Sequence, residues 1–378
     1  MSRLYLFNPE NDLALAHGKA QYTAPPNAQL LHNAGALLPI WFCENGDQVL
    51  AYNINQQWID EQKLLFDIPQ ISIAPIPHDL ECCPWGWSLN TIKQYSDYGV
   101  NPSILPNTST IEKIRQLSHR KISIEIISQL KNIFDIPYPC PIEAKNDKDV
   151  INFLHSHQTI FIKSPWSSSG RGVICTSNLN ESEIIRRALG IIRRQGSVMC
   201  EKALNKVHDF AMLFHCDGSK ISYQGLSSFF NAGTGAYAGN IIGSQDYILQ
   251  SITQSPKLLK EIALLQEFLC NILTTLIVPH YKGYLGVDMM TYSHNGVIKI
   301  APCIELNLRM TMGIVAMLWS NKHLAHNSNG TMHIKYSSQQ LKTQTDEKTI
   351  IIDKKLKSGT ISLIPPDKHF NITISVKC

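Results

Sequence analysis

Apolar residues along this chain follow two periods, and the switches between them outline its elements. Leu4–Phe7 predicts a short strand, the polar Asn8-Pro9-Glu10-Asn11-Asp12 a loop, and Leu13–Ala16 the start of a helix. Residues 33–42 and 48–52 continue the α/β rhythm, and Ile71–Pro75 predicts another strand. Pro84–Ser88 and Asn101-Pro102 mark loops. Helical spacing returns over Ser118–Asn132, with Ser118 as the expected N-cap, and over Asp147–His157. Two strand-like runs, Thr159–Ile162 and Val173–Thr176, then flank a hairpin tip of small residues, Ser167-Ser168-Ser169-Gly170-Arg171-Gly172, rich in bare N–H groups.

Asn180–Arg194 predicts a helix capped by Asn180 with Glu181 and Glu183 in its first turn, and Ser197–Glu201 a strand. Residues 209–215 and 221–226 predict a pair of strands around the turn Cys216–Ser219, followed by a long mobile loop over the glycine-bearing Phe229–Asn240. A long helix is expected near 255–277, then a hairpin of 284–292 with 297–309 whose Asn295-Gly296 is a two-residue turn signal. The last forty or so residues are polar, then β-like, and carry no motif; no internal repeat is present.

Composition narrows the classes. At 378 residues the chain can bury a large core and divides naturally into two or three domains. A net charge of +4, with no Lys/Arg run, argues against a nucleic-acid partner. The apolar stretch Glu261–Pro279 contains two Glu, a Gln and an Asn, which fits a buried amphipathic helix better than a membrane span. The start of the sequence is too briefly apolar for a signal peptide. Ten scattered cysteines without a CxxC pair fit reduced thiols in a cytoplasmic protein.

The final hairpin carries the most chemistry. With Asn295-Gly296 at its centre, His294 pairs with Val297 and Asp288 falls opposite Cys303. Alternation then puts Cys303, Glu305, Asn307 and Arg309 on the face of Asp288. Carboxylates on otherwise apolar strands need partners, and hard oxygen donors grouped this way suit Mg²⁺. A solvated strand face with a Glu–Arg pair is the alternative at this point. Upstream, a strand ending in Lys163 beside a small-residue tip could hold phosphates through the ammonium and backbone N–H groups.

In this order, Lys121, Lys163 with its tip, Val198–Leu204, then Asp288…Glu305-x-Asn307-x-Arg309, the chain resembles the ATP-grasp superfamily over roughly residues 115–315, with biotin carboxylase a useful comparison. The resemblance implies an α/β chain of α+β lobes: an N-terminal α/β pre-grasp domain (1–114), a first grasp lobe (115–200), a second lobe with the metal site (201–330) and a C-terminal extension (331–378). It implies ATP and Mg²⁺, with Mn²⁺ an admissible substitute, and an ATP-dependent ligase that activates a small-molecule or peptide carboxylate for an amine or similar nucleophile. A homodimer is compatible with it; nucleic acid and membrane partners are not expected. Lys121 resembles the first phosphate-binding lysine, although a solvated helix lysine is the alternative. Lys163 resembles the strand lysine on the phosphates, and Ser167, Ser168, Ser169, Gly170, Arg171 and Gly172 the flap above them. Glu201 resembles the ribose-binding acid, Lys202 and Leu204 the backbone that reads adenine, and His208-Asp209 further nucleotide contacts. Asp288, Glu305 and Asn307 match the metal ligands. Arg309 matches a residue that binds the acceptor or stabilises the acyl phosphate, with Lys163 and Arg171 beside it on the reacting phosphate. The serine-rich flap departs from the glycine-richer family pattern. A kinase, or a nucleotide sensor without turnover, would use the same site and stays open at this point.

Overall fold

The structure is a computed structural model that describes residues 2–52, 54–70, 80–167, 172–233, 235–337 and 349–377. The expected strand at 71–75 and the flap residues 168–171 lie outside the described residues. Strands β1 (Ser2–Leu6), β2 (Gln48–Val49) and β3 (Leu80–Pro84) form a parallel sheet in the order β2-β1-β3. The turn after β1 is held by Asn8, whose side-chain amide donates to Gly86 O at 2.9 Å and Thr91 Oγ1 at 3.0 Å. The predicted loop is thus short, and the helix Asn11–His17 starts inside it.

A second sheet, in the order β4-β7-β5-β6, contains β4 (Ile142–Ala144), β5 (Ile160–Lys163), β6 (Val173–Cys175) and β7 (Val198–Lys202). Two helices cover it with the residues their period predicts: Val150, Phe153 and Leu154 from Asp147–His157, and Ile184, Ala188 and Ile191 from Glu181–Gln195. Asn180 caps the latter by accepting from Glu183 N–H at 2.9 Å.

The third sheet has nine strands: β8 (Asn205–Cys216), β9 (Ile221–Asn231), β10 (Tyr237–Ile242), β11 (Gly283–His294), β12 (Val297–Asn307), β13 (Gly330–Tyr336), β14 (Ile350–Ile352), β15 (Lys355–Ser362) and β16 (Phe370–Val376). Its order is β12-β11-β8-β9-β10-β13-β16-β15-β14. The helix Pro256–Ile277 buries Leu258, Ile262, Leu265, Leu269 and Leu273 in the core beneath β8 and β9. Among the described residues no helix is long and apolar enough to cross a membrane.

Two expectations are corrected. Residues 229–240 are mostly strand: β9 runs to Asn231, β10 begins at Tyr237, and Ala232 N–H closes the connection on Ala236 O at 2.7 Å. The β-favouring aromatic residues Phe229, Phe230 and Tyr237 outweigh the glycines there. Ser118 is the C-cap of the helix Thr108–Leu117, and the next helix starts only at Ile122. The β-like end of the chain forms strands beyond residue 330, as expected; they continue the large sheet and pack on the N-terminal unit, because the alternating Ile372, Ile374 and Val376 share a core with Trp41, Phe66 and Trp319.

That shared core holds His323, fully buried, with Nε2 donating to Trp41 O at 2.9 Å while Trp41 Nε1 donates to Leu363 O at 2.8 Å. Burial lowers the His323 pKa to about 4. Between about pH 6.5 and 4 the unfolded chain therefore binds a proton that the folded chain refuses, so stability present above that window falls as pH drops through it. Urea unfolding at pH 7.5 and 4.5 should show this loss, up to about 3 kcal/mol from this residue. His323→Gln, which keeps a donor for Trp41 O, should flatten the pH dependence, and an unaltered slope would show that His323 is not the group responsible.

Candidate active site

The three sheets meet around a cleft of about 630 Å³. From the second, four-stranded sheet come Lys163 and Glu201, on neighbouring antiparallel strands with Phe161 opposite Glu201. The diagonal neighbours Lys163 and Glu201 share a face, and the ammonium donates to Glu201 Oε2 in a short bond. Both are buried, and the other carboxylate oxygen of Glu201 has no partner.

From the large sheet come Asp288, Glu305 and Asn307. The turn at Asn295-Gly296 has positive φ at both positions (51° and 79°) and sets His294 opposite Val297, as the sequence predicts. The register then shifts: Met290 faces Ala301, but Asp288 faces Glu305 instead of Cys303. Pro302, which has no N–H to give to a ladder, sits in this bulge. The slip is of two residues, so parity survives, and Asp288 gains a carboxylate directly across from it.

This pairing is costly without a cation. Burial, followed by the charge of Glu305, raises the Asp288 pKa to about 7, and the Asn307 amide opposes that rise. Each other cleft carboxylate has a cationic partner: Glu201 has Lys163, Asp209 has Lys206 at 2.6 Å, and Glu305 has Arg120 at 2.8 Å. Among the described residues Asp288 alone of the cleft acids has no ion pair. A divalent cation held by Asp288, Glu305 and Asn307 would answer that imbalance with a hard-oxygen donor set.

Arg120 is the residue that sequence reasoning missed. It is 4 % exposed, and one terminal nitrogen donates to Ser164 O at 2.6 Å and Ser167 Oγ at 2.7 Å. The other donates to Glu305 Oε2 at 2.8 Å, while Nε has no partner. Lys121 is exposed and does not line the cleft. The break between helices turns His119 and Arg120 inward, and Arg120 N–H is tied to Pro165 O at 3.1 Å. Only the adjacent basic triplet of Arg120-Lys121 with His119 signalled a cation at this point.

The remaining residues divide. Ser167, Lys202, Leu204, Asp209 and Arg309 line the cleft. His208 and Gly172 are not among its lining residues: His208 is 2.8 Å from Ser228 Oγ, and Gly172, at φ 75°, packs on Ser164. Arg309 is held by Asp12, at 2.9 Å through Nε and 2.8 Å through a terminal nitrogen, and donates to Met310 O at 3.0 Å. The polar loop after β1 thus reaches the site through Asp12. The base of the flap is fastened by Trp166, whose indole N–H donates to Arg115 O at 2.9 Å and whose backbone N–H donates to Gln195 at 3.0 Å. Arg171, Ser168, Ser169 and Gly170 lie outside the described residues.

No family model and no curated protein sequence matches the chain. Solved structures do. A biotin carboxylase–β,γ-ATP complex from Campylobacter jejuni superposes with a TM-score of 0.50 at 12% identity, covering 100% of this chain and 87% of that one. The biotin carboxylase domain of a Hydrogenobacter thermophilus 2-oxoglutarate carboxylase, solved with MgADP, ADP and bicarbonate, gives 0.51 at 13% identity, covering 99% and 86%. At these identities the likeness is one of fold. The chain has the ATP-grasp fold, with a small α/β unit ahead of the grasp.

Removing the Arg120 guanidinium should strand Glu305 beside Asp288 and release the flap base. Arg120→Gln is expected to lower unfolding stability by about 2–3 kcal/mol, less than a fully buried pair because Glu305 is partly solvated. Lys121→Gln should stay within about 0.5 kcal/mol. Denaturant titration of both variants checks this, and equal losses would contradict the inward placement of Arg120.

Proposed function

We propose that the cleft binds ATP with Mg²⁺ and that the protein is an ATP-dependent ligase, activating a carboxylate as an acyl phosphate and passing it to an amine. The observation that carries this reading is the set of Asp288, Glu305 and Asn307 sharing one cleft with Lys163 and Arg120. Oxygen donors for a divalent cation beside two cations for phosphate are what a triphosphate requires. The grasp would be formed by residues 115–200 and 201–330 after a unit of residues 1–114, with 331–378 following.

Asp288, Glu305 and Asn307 would hold Mg²⁺, which when bound supplies positive charge against the phosphate oxygens. The chain's own groups do the rest. Lys163 and Arg120 exchange Glu201 and Glu305 for phosphate oxygens, and Ser167 donates from the flap base with Arg171 further along it. Glu201, once released, is free to accept from a ribose hydroxyl beside the backbone of Lys202 and Leu204, with Asp209 nearby. Arg309 orients the acid. A carboxylate oxygen attacks the γ-phosphorus and ADP leaves; the amine then attacks the acyl carbon and phosphate leaves. The first step needs positioning and charge neutralisation more than a base.

Glu305→Gln, which keeps an acceptor for Arg120, should retain the wild-type melting temperature within about 3 °C and lose at least a hundredfold in ADP release. Full ADP release by that variant would remove the metal site from the reaction. Mass analysis of products decides the class: an amide fits the ligase, a stable phosphate ester would make the protein a kinase, and binding of ATP without turnover a sensor.

A further inference from the structure

Beyond Arg309 the cleft changes character. Its wall toward the N-terminal unit is made by Phe7, Pro9, Leu31, Trp85, Met312 and Ile334, none of them charged. Phe7 and Trp85 meet edge to face with centroids 5.0 Å apart, and both are buried, so this part of the wall is a rigid aromatic surface. Leu31, Met312 and Ile334 are only half-buried. The wall adjoins the reactive end directly, because Met310 N–H donates to Trp85 O at 2.8 Å, one residue beyond Arg309.

Arg309 has five N–H donors, of which the bonds to Asp12 and Met310 use three. Two remain for a ligand at a residue that lines the cleft. Asp12 already balances the guanidinium charge, so the position suits one carboxylate and not two. The wall offers no cation for a second anion, and the same cleft carries Asp288 and Glu305, which would repel it.

Resting on the ligase reading above, we propose that the acid activated in this cleft is a monocarboxylic acid with an apolar body: its carboxylate on Arg309, its body against Phe7, Leu31, Trp85 and Ile334. A dicarboxylate finds no cation on that wall for its second charge. Each methylene laid against it should tighten binding about fourfold until the wall is covered.

The test is calorimetric titration of the full-length protein with acetate, butyrate, hexanoate and succinate, with and without Mg²⁺ and a non-hydrolysable ATP analogue. ADP release is measured for the same acids with hydroxylamine as the amine. Affinity rising from acetate to hexanoate, with succinate no tighter than acetate, is the expected order. Leu31→Asp should weaken hexanoate at least tenfold, with titration of the ATP analogue serving as its folding control. Succinate binding as tightly as hexanoate, no dependence on chain length, or no binding of any acid at millimolar concentration overturns the subsite. Ile334→Asp serves as a second probe should Leu31→Asp fail to fold. The two readings separate cleanly. Acids that bind in the expected order without ADP release leave the apolar subsite standing and remove the ligase. ADP release with polar acids alone does the reverse.

Discussion

The contact between Arg120 and Glu305 ties the rest of this site together. One guanidinium reaches from the break between two helices to the carboxylate of β12, and on the way holds Ser164 O and Ser167 Oγ at the flap base. Buried charges of this kind persist only when paired, and the partners come from segments far apart in sequence. The same constraint recurs twice around the cleft, in Lys163 with Glu201 and in Arg309 with Asp12. Each pair joins two elements that flank the cleft, so the charge balance of the site is also its mechanical frame.

Such a frame has a functional consequence. Among the described residues, each cation and acid that the proposed reaction uses has an ion-pair partner within the protein, apart from Asp288, whose pKa of about 7 reflects burial opposite a second carboxylate. In the proposed reaction, ligand entry is an exchange of partners instead of a desolvation of bare charges, which would keep the cost of admitting a triphosphate low. Trp166 extends the frame outward, since its indole bonds Arg115 O while the Arg115 guanidinium lies 4.2 Å over the ring and donates through Nε to Leu15 O at 2.7 Å. The flap base is thereby connected to the helix that carries Asp12.

Most elements were legible in the sequence because their signals are local. The helices Asp147–His157, Glu181–Gln195 and Pro256–Ile277 follow from period and caps, and the turn at Asn295-Gly296 follows from its demand for positive φ. The same holds for parity along β12, which put Glu305 and Asn307 on the face of Asp288 and survives the two-residue shift in register. The strand character around Phe229 and Tyr237 was misjudged, since glycine-bearing stretches become β only when a neighbouring edge accepts them.

The sequence by itself thus determined the period, caps and turns of the chain, and the face on which its oxygen donors stand. Tertiary structure alone decided three things: that a bulge at Pro302 sets Asp288 against Glu305, that Arg120 and not Lys121 faces inward, and that Asp12 restrains Arg309. Secondary structure arises from interactions within a few residues, which a sequence displays. Partners for buried charges are chosen by proximity in space, here across 185 positions for Arg120 and Glu305 and 297 for Asp12 and Arg309, and no local pattern records that choice.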